Sequence, residues 1–475
     1  MTMLVSQCEK DADARGPAES AAPCPALRYG VHALGAVACL GYLVMAILSY
    51  TQAAGLWRTV QAPRAQAFFN GLAESLRQTA PALAEWLAAG RWPADNVQLI
   101  AVHCATLAVP TLACAGVLGL IATFKAEADR EIVRAARRWA FAFAAVCVFA
   151  YPVFTQDIWL SALWGRMIAE GPNPYHQVFT EADLRNLPLD HFPMPMSYGP
   201  LWGLVSAAVM VISGGNLLAT AVLFKLILLV AWCGCIWCVG RIVENAEPGN
   251  QALAVAVLGW APAGVVQTVA EGHNDVAMAA LSIGWLMLIV RKHWAAPMAL
   301  VASALCKYVS LPLALVELIV LWRVETSLRA RLLRVVGPAV LGLTIMALFY
   351  RSMGFFDGLI IINDWHFLRP SDAIHGFGDL IGIPLSYLAT ASCLVFPVVA
   401  ARQLMIGYRE PSIDNLITLA IAVMAAVLFG IIGHIWPWYL IWALVLAALK
   451  PSWWVSRFII AVALEIGRAS CRERV

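Results

Sequence analysis

The stretch "VVQTVAEGHNDVAMAALSIGW", Val265–Trp285, contains the residues that decide the fold. Two apolar runs flank one short polar segment, Glu271–Asp275, which we call the EGHND turn. Both flanks have the composition of helices that lie in a bilayer, and the turn-forming residue types Gly, Asn and Asp stand between them. The stretch therefore predicts two apolar helices joined by a polar turn at a membrane surface.

Apolar runs of this kind recur along the whole chain. Of its 475 residues, 61% are hydrophobic and only 13% are charged, whereas a soluble domain has roughly 25% charged residues. The predicted fold class is an all-α polytopic membrane protein, a bundle of about 12–13 transmembrane helices with a large first outer loop that contains interfacial helices. The candidate runs begin near Tyr29, Asn96, Trp139, Leu217, Gln251, Val276, Ala295, Val335, Ile383, Leu416, Tyr439 and Trp453.

The alternation of polar and apolar segments predicts four regions. Residues 1–28 form a cytoplasmic tail, because they are polar and lack the apolar core of a signal peptide. Residues 29–138 contain two apolar runs, and residues 139–464 contain the others. Residues 465–475 interrupt the last apolar run, so we expect a non-native or truncated tail. The 12 cysteines mostly lie inside apolar runs, which favours packing residues over a disulfide framework or a metal cluster.

Basic residues predict which connections face the cytoplasm. They concentrate in the connections Lys125–Arg138, Arg323–Arg334 and Arg402–Arg409, which the positive-inside rule places in the cytoplasm. The polar clusters between them, including the EGHND turn, then face the outer side. Only one membrane crossing can then lie between the outer segment around Asp157 and the next cytoplasmic connection, and the long run from Leu217 supplies it. The helix opened by Gly199-Pro200 therefore lies at the outer interface or dips in and returns. The hairpin between Lys292 and Arg323 is too short for two full crossings, about 40 residues, so it must be short or broken near Lys307.

Acidic residues and a histidine on the outer side are the candidates for catalysis. Asp157 precedes an apolar helix, so it either acts as a general base or caps that helix. Glu271, His273, Asn274 and Asp275 either line a polar pocket or form an ordinary turn in which Asp275 caps the returning helix. A metal site built from these side chains is a further alternative, but their spacing is not diagnostic and we expect no metal.

Cations at the same side are candidates for binding a phosphate. Lys307 stands at the tip of the broken hairpin, where its ammonium group would either bind a lipid-linked phosphate or snorkel to the interface. Arg166 would assist it, and Lys225, inside an apolar run, is a weaker candidate of the same kind. The outer side is therefore predicted to bind an anionic group.

Aromatic side chains concentrate near the end of the chain. The segment "HIWPWY" contains His434, Trp436 and Trp438. Such a segment is typical of the aromatic belt at a membrane interface, and it is equally suited to line a sugar-binding pocket with apolar ring faces and hydrogen-bonding groups. We therefore expect these three side chains to contribute to substrate binding.

One set of motifs extends from roughly Phe154 to Trp442. It consists of Asp157, "GPNPY" at Gly171–Tyr175, "YGPLW" at Tyr198–Trp202, "GHND" at Gly272–Asp275, Lys307, and "WPWYLIW" at Trp436–Trp442. Together these motifs resemble the GT-C superfamily of polytopic glycosyltransferases, in particular the polyprenyl-phosphate-mannose-dependent α-1,6-mannosyltransferases of actinobacterial type.

The resemblance implies that residues 29–138 are a two-helix N-terminal addition and that residues 139–464 are a GT-C-like transmembrane catalytic core. Many relatives carry a second acidic residue beside the catalytic one, whereas Gln156 and Ile158 flank Asp157 here, so Asp275 would be the second carboxylate.

The resemblance implies an enzyme that moves a hexosyl group, mannosyl by analogy, from a polyprenyl-phosphate donor to a glycan or lipid-linked acceptor with inversion. Asp157 would deprotonate the acceptor, Lys307 would bind the phosphate, and Tyr198 would shape the loop over the donor. Sugar or acceptor hydroxyls would be bound by His273, Asn274 and Asp275.

The same resemblance implies a place in the bacterial inner (plasma) membrane, with the active site on the periplasmic side. The lipid bilayer would be a partner, and we expect no cofactor and no nucleic acid. Two other functions remain open from the sequence: a transporter or flippase of lipid-linked sugars, and a glycan ligase or polymerase.

Overall fold

The computed structural model describes residues 25–59, 96–124, 129–153, 155–175, 195–325, 327–350, 385–431 and 436–469. Every regular element within these ranges is helical, which confirms the predicted all-α class. In chain order the α-helices are α1 (Pro25–Thr59), α2 (Asn96–Thr123), α3 (Arg130–Cys147), α4 (Asp157–Glu170), α5 (Pro200–Ser213), α6 (Leu217–Ala246), α7 (Gln251–Trp260), α8 (Pro262–Val265), α9 (Asp275–Val290), α10 (Ala296–Cys306), α11 (Ala314–Ile319), α12 (Leu328–Tyr350), α13 (Leu385–Arg409), α14 (Ile413–Ala425), α15 (Leu440–Ala447) and α16 (Trp454–Ala469).

Several of these helices have the length and composition of membrane spans. Five segments in the described ranges qualify, and α7 with Pro262–Ala270 makes a sixth if this pair, bent by 53°, counts as one span. The protein is therefore a polytopic helical membrane protein, as predicted, while the expected number of about 12–13 spans stays a prediction. The five segments are Pro25–Tyr50, Ala105–Thr123, Leu217–Ala246, Ala391–Arg409 and Ile413–Ile431.

Helix α3 begins earlier than the predicted span at Trp139. It starts at Arg130, after Asp129 accepts hydrogen bonds from two backbone amides of the first turn at 2.8 and 3.1 Å. Ile132 and Ala136 are fully buried, while Arg130, Arg134 and Arg138 are exposed. The basic connection is therefore itself the first half of an amphipathic helix, because one side of it packs into the core.

Single π turns interrupt the helical bundle at three places in the described ranges. They follow α8, α11 and α14, at Val266–Ala270, Val320–Val324 and Ala426–Ile431. A π turn widens the helix by one residue and often occurs beside functional sites. The first leads directly into the EGHND turn, and the third ends just before the aromatic segment that starts at Trp436.

The predicted break at Lys307 is confirmed. Helix α10 ends at Cys306, Lys307 has extended backbone angles (φ −155°, ψ 119°), and a 3-10 turn, Tyr308–Leu313, follows. Helix α5 has 14 residues, about 21 Å, which is shorter than the roughly 30 Å of hydrocarbon in a bilayer. Its length fits the expectation that the segment does not cross.

Gly199 brings the start of α5 against the end of α10. Its backbone N–H donates to the carbonyl oxygen of Cys306 at 2.9 Å. A Cβ atom at Gly199 would overlap the backbone carbonyl group of Leu305, so no larger residue fits. Tyr198 precedes Gly199 and Lys307 follows Cys306, so this contact brings Tyr198 beside Lys307.

We expect Gly199→Ala to destabilise the protein by about 1–3 kcal/mol, because the added methyl group has no space and the backbone of α10 must move. The measurement is the thermal unfolding midpoint of the purified protein in detergent. Gly284→Ala is the matched control, since a Cβ at this position in α9 meets no atom within 4 Å. Equal midpoints for the two variants would contradict the close packing.

Candidate active site

Asp157 is the first residue of α4, and its carboxylate bonds to side chains of other elements. Atom Oδ2 accepts a hydrogen bond from the Tyr198 hydroxyl at 2.8 Å and lies 2.8 Å from Nδ1 of His273. The N-cap residue is Gln156, whose side chain makes no cap hydrogen bond. The interpretation of Asp157 as a helix cap is therefore wrong, and its carboxylate is free for other chemistry.

The environment of Asp157 keeps its carboxylate ionised. Burial alone raises the pKa of this group. The charge of His273 and the hydrogen bonds from His273 and Tyr198 outweigh burial and lower the pKa to about 2, with Lys307 adding to the effect. The side chain of Asp157 remains 17% exposed, so a bound molecule has access to an ionised carboxylate.

Alternate residues of the EGHND turn pair with three different parts of the fold. Gly272 makes this possible, because it has a positive φ of 85° and its missing side chain leaves room for Ile158, 2.7 Å from an ideal Cβ position. The interacting pairs are Glu271 with Lys225, His273 with Asp157, and Asp275 with Lys307. One turn therefore connects α6, α4 and the break after α10.

Lys225 anchors the base of this turn. It is 2% exposed, and its ammonium group donates to the carbonyl oxygens of Ala150 and Ala270, the latter at 2.8 Å. Glu271 is also 2% exposed and interacts electrostatically with Lys225. These contacts hold the end of the π turn in place, so Lys225 has a structural position beneath the turn.

Asp275 and Lys307 form an ion pair of 2.7 Å whose carboxylate is completely buried. Asp275 also accepts a hydrogen bond from the indole of Trp442 and begins α9, where the helix dipole favours a negative charge. The rings of Tyr198, Tyr439 and Trp442 surround the ammonium group at 5.2, 4.9 and 5.1 Å. The interpretation of Asp275 as a helix cap is therefore wrong, since its carboxylate is the counter-ion of Lys307.

The aromatic segment after residue 435 forms two ring stacks against these pairs. Trp436 stacks on Trp438 at 4.9 Å, and Trp438 stacks on the His273 imidazole at 3.9 Å. Tyr439 stacks on Trp442 at 4.3 Å beside Lys307. The segment therefore packs on both halves of the site, one stack against the histidine and one against the lysine.

The motifs "GPNPY" and "YGPLW" position Tyr198. The hydroxyl of Tyr175 donates to the backbone carbonyl of Tyr198 at 2.9 Å, and the N–H of Met196 donates to the carbonyl of Pro174 at 2.9 Å. Asn173 accepts from the N–H of Tyr175 at 2.9 Å and shapes the turn. The two motifs therefore form one clamp, and Tyr198 binds the carboxylate of Asp157. Its role in shaping a loop over a donor stays a prediction.

Four buried polar atoms of the EGHND turn have no hydrogen-bond partner among the described residues. They are Nε2 of His273, both amide atoms of Asn274 and Oδ2 of Asp275. Asn274 is 2% exposed. Because a buried polar atom without a partner costs free energy, each of these atoms needs a polar partner, which a water molecule or a hydroxyl group of a bound molecule can supply.

The remaining predicted site residues lie elsewhere. Arg166 is on α4, nine residues after Asp157, and nine residues turn a helix by about 180° beyond two full turns. Arg166 therefore leaves the opposite side of α4 from Asp157. His434 lies outside the described residues. Within the described part of the chain, no group of three His, Cys, Asp or Glu side chains is placed to hold a metal ion. The expectation that the protein binds no metal stays a prediction.

Three residues of the site were not among the predicted ones: Tyr175, Tyr439 and Trp442. Tyr439 and Trp442 are three positions apart in "WPWYLIW", a spacing that places them on one helical face and would have indicated a shared partner. Tyr175 is part of the quoted "GPNPY" motif, but its partner is a backbone carbonyl, which no side-chain pattern reveals.

Fold and site together define a polytopic helical membrane protein in which an ionised carboxylate and a lysine, each paired, share one aromatic-lined site. The chain belongs to the alpha-(1->6)-mannopyranosyltransferase family. The family profile, described as "Alpha-(1->6)-mannopyranosyltransferase, N-terminal domain", matches residues 67–324, more than half of the chain. The match contains Asp157, the EGHND turn and Lys307, and it ends before the aromatic segment.

Two curated relatives carry the name alpha-(1->6)-mannopyranosyltransferase A. The protein from Mycobacterium tuberculosis is 24% identical over 341 residues, 66% of this chain and 65% of the relative. The protein from Corynebacterium glutamicum is 24% identical over 180 residues, 37% of this chain and 36% of the relative. The chain thus spans just under two thirds of the length of the first relative and about one third of the length of the second. No solved structure matches the chain.

We expect Lys307→Met to lower the free energy of unfolding by about 3–5 kcal/mol, because it leaves the buried carboxylate of Asp275 without its cation. The double variant Lys307→Met with Asp275→Asn removes both charges and should recover part of this loss. The measurement is thermal unfolding in detergent. A double variant that is less stable than Lys307→Met alone would contradict a buried charge pair.

Proposed function

We propose that this protein transfers a mannosyl group from a polyprenyl-phosphate donor to a hydroxyl group of a glycan or lipid-linked acceptor, with inversion at the anomeric carbon. Membership of the mannosyltransferase family supports the mannosyl group. The observation that carries the proposal is the junction at Tyr198, whose hydroxyl binds the ionised Asp157 and whose ring lies 5.2 Å from the ammonium group of Lys307. A base and a cation thereby flank one site.

In the proposed reaction Asp157 is the general base. The acceptor O–H bond breaks and its proton passes to Asp157, while the acceptor oxygen forms a bond to the anomeric carbon. The bond from that carbon to the donor phosphate breaks, and the phosphate leaves with the electron pair. Tyr198 and His273 both bind Oδ2, so Oδ1 is the oxygen we assign to the acceptor proton.

Lys307 is proposed to stabilise the leaving phosphate. Its side chain is 13% exposed, and Asp275 and three rings hold the ammonium group in place before a donor binds. A preorganised cation lowers the barrier because it does not have to reorient as charge develops on the phosphate. The unpartnered atoms of Asn274 and its neighbours are proposed to bind sugar hydroxyls.

We further propose that the protein is a GT-C-type enzyme that lies in the bacterial inner membrane and faces the periplasm with this site. The distribution of basic residues along the sequence supports this orientation, since the positive-inside rule assigns the basic connections to the cytoplasm. No metal takes part in the proposed mechanism, in which a phosphate leaving group needs only a base, a cation and correct positioning.

Asp157→Asn is expected to reduce mannosyl transfer by about 10²- to 10⁴-fold, because the amide cannot accept the acceptor proton. The measurement is consumption of a polyprenyl-phosphate-mannose donor and formation of product in membranes. Asp414→Asn is the control, since Asp414 is an exposed carboxylate paired with Lys450.

Undiminished transfer by Asp157→Asn would contradict the assignment of the base, and a product with the donor's anomeric configuration would contradict inversion. A transporter would leave the donor intact.

As the pH is lowered, the Tyr198→Phe variant is expected to lose activity at a higher pH than the wild type does. In the wild type the pKa of Asp157 is about 2, so the base is ionised throughout the neutral range. Loss of the Tyr198 hydrogen bond raises that pKa, so the carboxylate becomes protonated earlier as the pH falls. The measurement is the transfer rate between roughly pH 2 and pH 6, the range that contains both acid limbs.

Tyr439→Phe is the matched control for this pH profile. Tyr439 faces Lys307 with its ring, and no hydrogen bond between its hydroxyl and Asp157 is present in the described residues. Its acid limb should coincide with that of the wild type. A Tyr198→Phe profile that also coincides with the wild type would show that Tyr198 does not control the ionisation of Asp157.

A further inference from the structure

A second site lies on the outside of the bundle, between the segment Ala314–Val324 and α13. It is a groove of about 360 Å³, within the range of roughly 300–1,000 Å³ that is typical of small-molecule sites. Leu315, Leu318 and Trp322 form one wall, while Met405 and Tyr408 are part of the other. Every lining side chain is aliphatic or aromatic, so the groove suits a hydrocarbon chain.

One end of the groove carries a fixed positive charge. Nε of Arg323 donates to the backbone carbonyl of Tyr408 at 3.0 Å, and its guanidinium group lies 5.0 Å from the centre of the Tyr408 ring. These two contacts orient the group, and neither terminal amino group has a hydrogen-bond partner among the described residues. In the part of the chain that the structure describes, Arg323 has no ion pair, and nearby Glu325 pairs with Arg334 at 3.6 Å. Arg409 adds a second exposed charge beside Tyr408.

The chemistry of this end is that of a membrane interface. Trp322 and Tyr408 lie next to the two arginines, and aromatic and basic side chains together are typical of the headgroup level of a bilayer. From Leu315 to Trp322 the wall contains eight residues, so it is about 10 Å long, about a third of the hydrocarbon thickness. The groove therefore has the length to hold the part of a lipid chain that lies closest to its headgroup.

We propose that this groove binds one anionic phospholipid, with an acyl chain along the Leu315–Trp322 wall and the phosphate on Arg323. A planar guanidinium group with two unpartnered amino groups matches a phosphate oxygen pair. A zwitterionic lipid offers the same hydrocarbon but less net charge, so the preoriented arginine makes the site selective. The wall begins a few residues after the 3-10 turn that follows Lys307, so a bound lipid supports the segment that carries this lysine.

The test is native mass spectrometry of the purified, delipidated full-length chain titrated with phosphatidylglycerol or phosphatidylcholine. The wild type should retain one phosphatidylglycerol with about 10-fold higher affinity than phosphatidylcholine, the least that a charge-assisted hydrogen bond supplies. Arg323→Gln should abolish this preference. Arg329→Gln is the matched control, because Arg329 is exposed on α12 and does not line the groove. Leu318→Trp should weaken the binding of both lipids by filling the groove.

Three results would overturn the proposal. The first is an unchanged preference for phosphatidylglycerol in Arg323→Gln, and the second is an equal loss of preference in Arg329→Gln. The third is displacement of phosphatidylglycerol by a polyprenyl phosphate at lower concentration, which would assign the groove to a prenyl chain. Equal thermal midpoints of wild type and Arg323→Gln in lipid-free detergent establish that the variant is folded, so loss of preference then supports the proposal.

Discussion

The buried ion pair between Asp275 and Lys307 is the interaction on which the site depends. A carboxylate with no exposed surface is tolerated only where a cation and hydrogen-bond donors compensate it. Here the cation comes from a break between two helices and one donor comes from Trp442, far along the chain. Pairing one charge therefore requires α9, the end of α10 and the start of α15 to meet, and this meeting brings the aromatic segment to His273 as well.

Irregular helices place the polar groups inside an otherwise apolar bundle. A regular helix keeps its own backbone groups satisfied and projects its side chains outward, so a site in such a bundle needs places where helices begin or stop. Asp157 and Asp275 are each the first residue of a helix, and Lys307 follows the last residue of one. The π turn before Glu271 and the close contact at Gly199 then set the distances between these ends.

Much of this arrangement could be predicted from the sequence, because its signals are local. Hydropathy marks where most helices begin, and the short distance between Lys292 and Arg323 requires the break at Lys307. Which side chains pair could not be predicted in this way, since turn propensity favours Asp275 as a cap while the tertiary contact with Lys307 uses it as a counter-ion. The start of α3 was missed for a similar reason, because its arginines resemble a loop until one face is packed.

The alternation of partners in the EGHND turn also limits how its length can change. Residues 271, 273 and 275 each reach a separate element, and the residue between the first two has a backbone angle that suits glycine. Inserting or deleting a single residue would exchange every charged position with a neighbour and separate all three pairs at once. Point substitutions, by contrast, remove one pair at a time. The number of residues in this turn is therefore a stricter requirement than the identity of any one of its paired side chains.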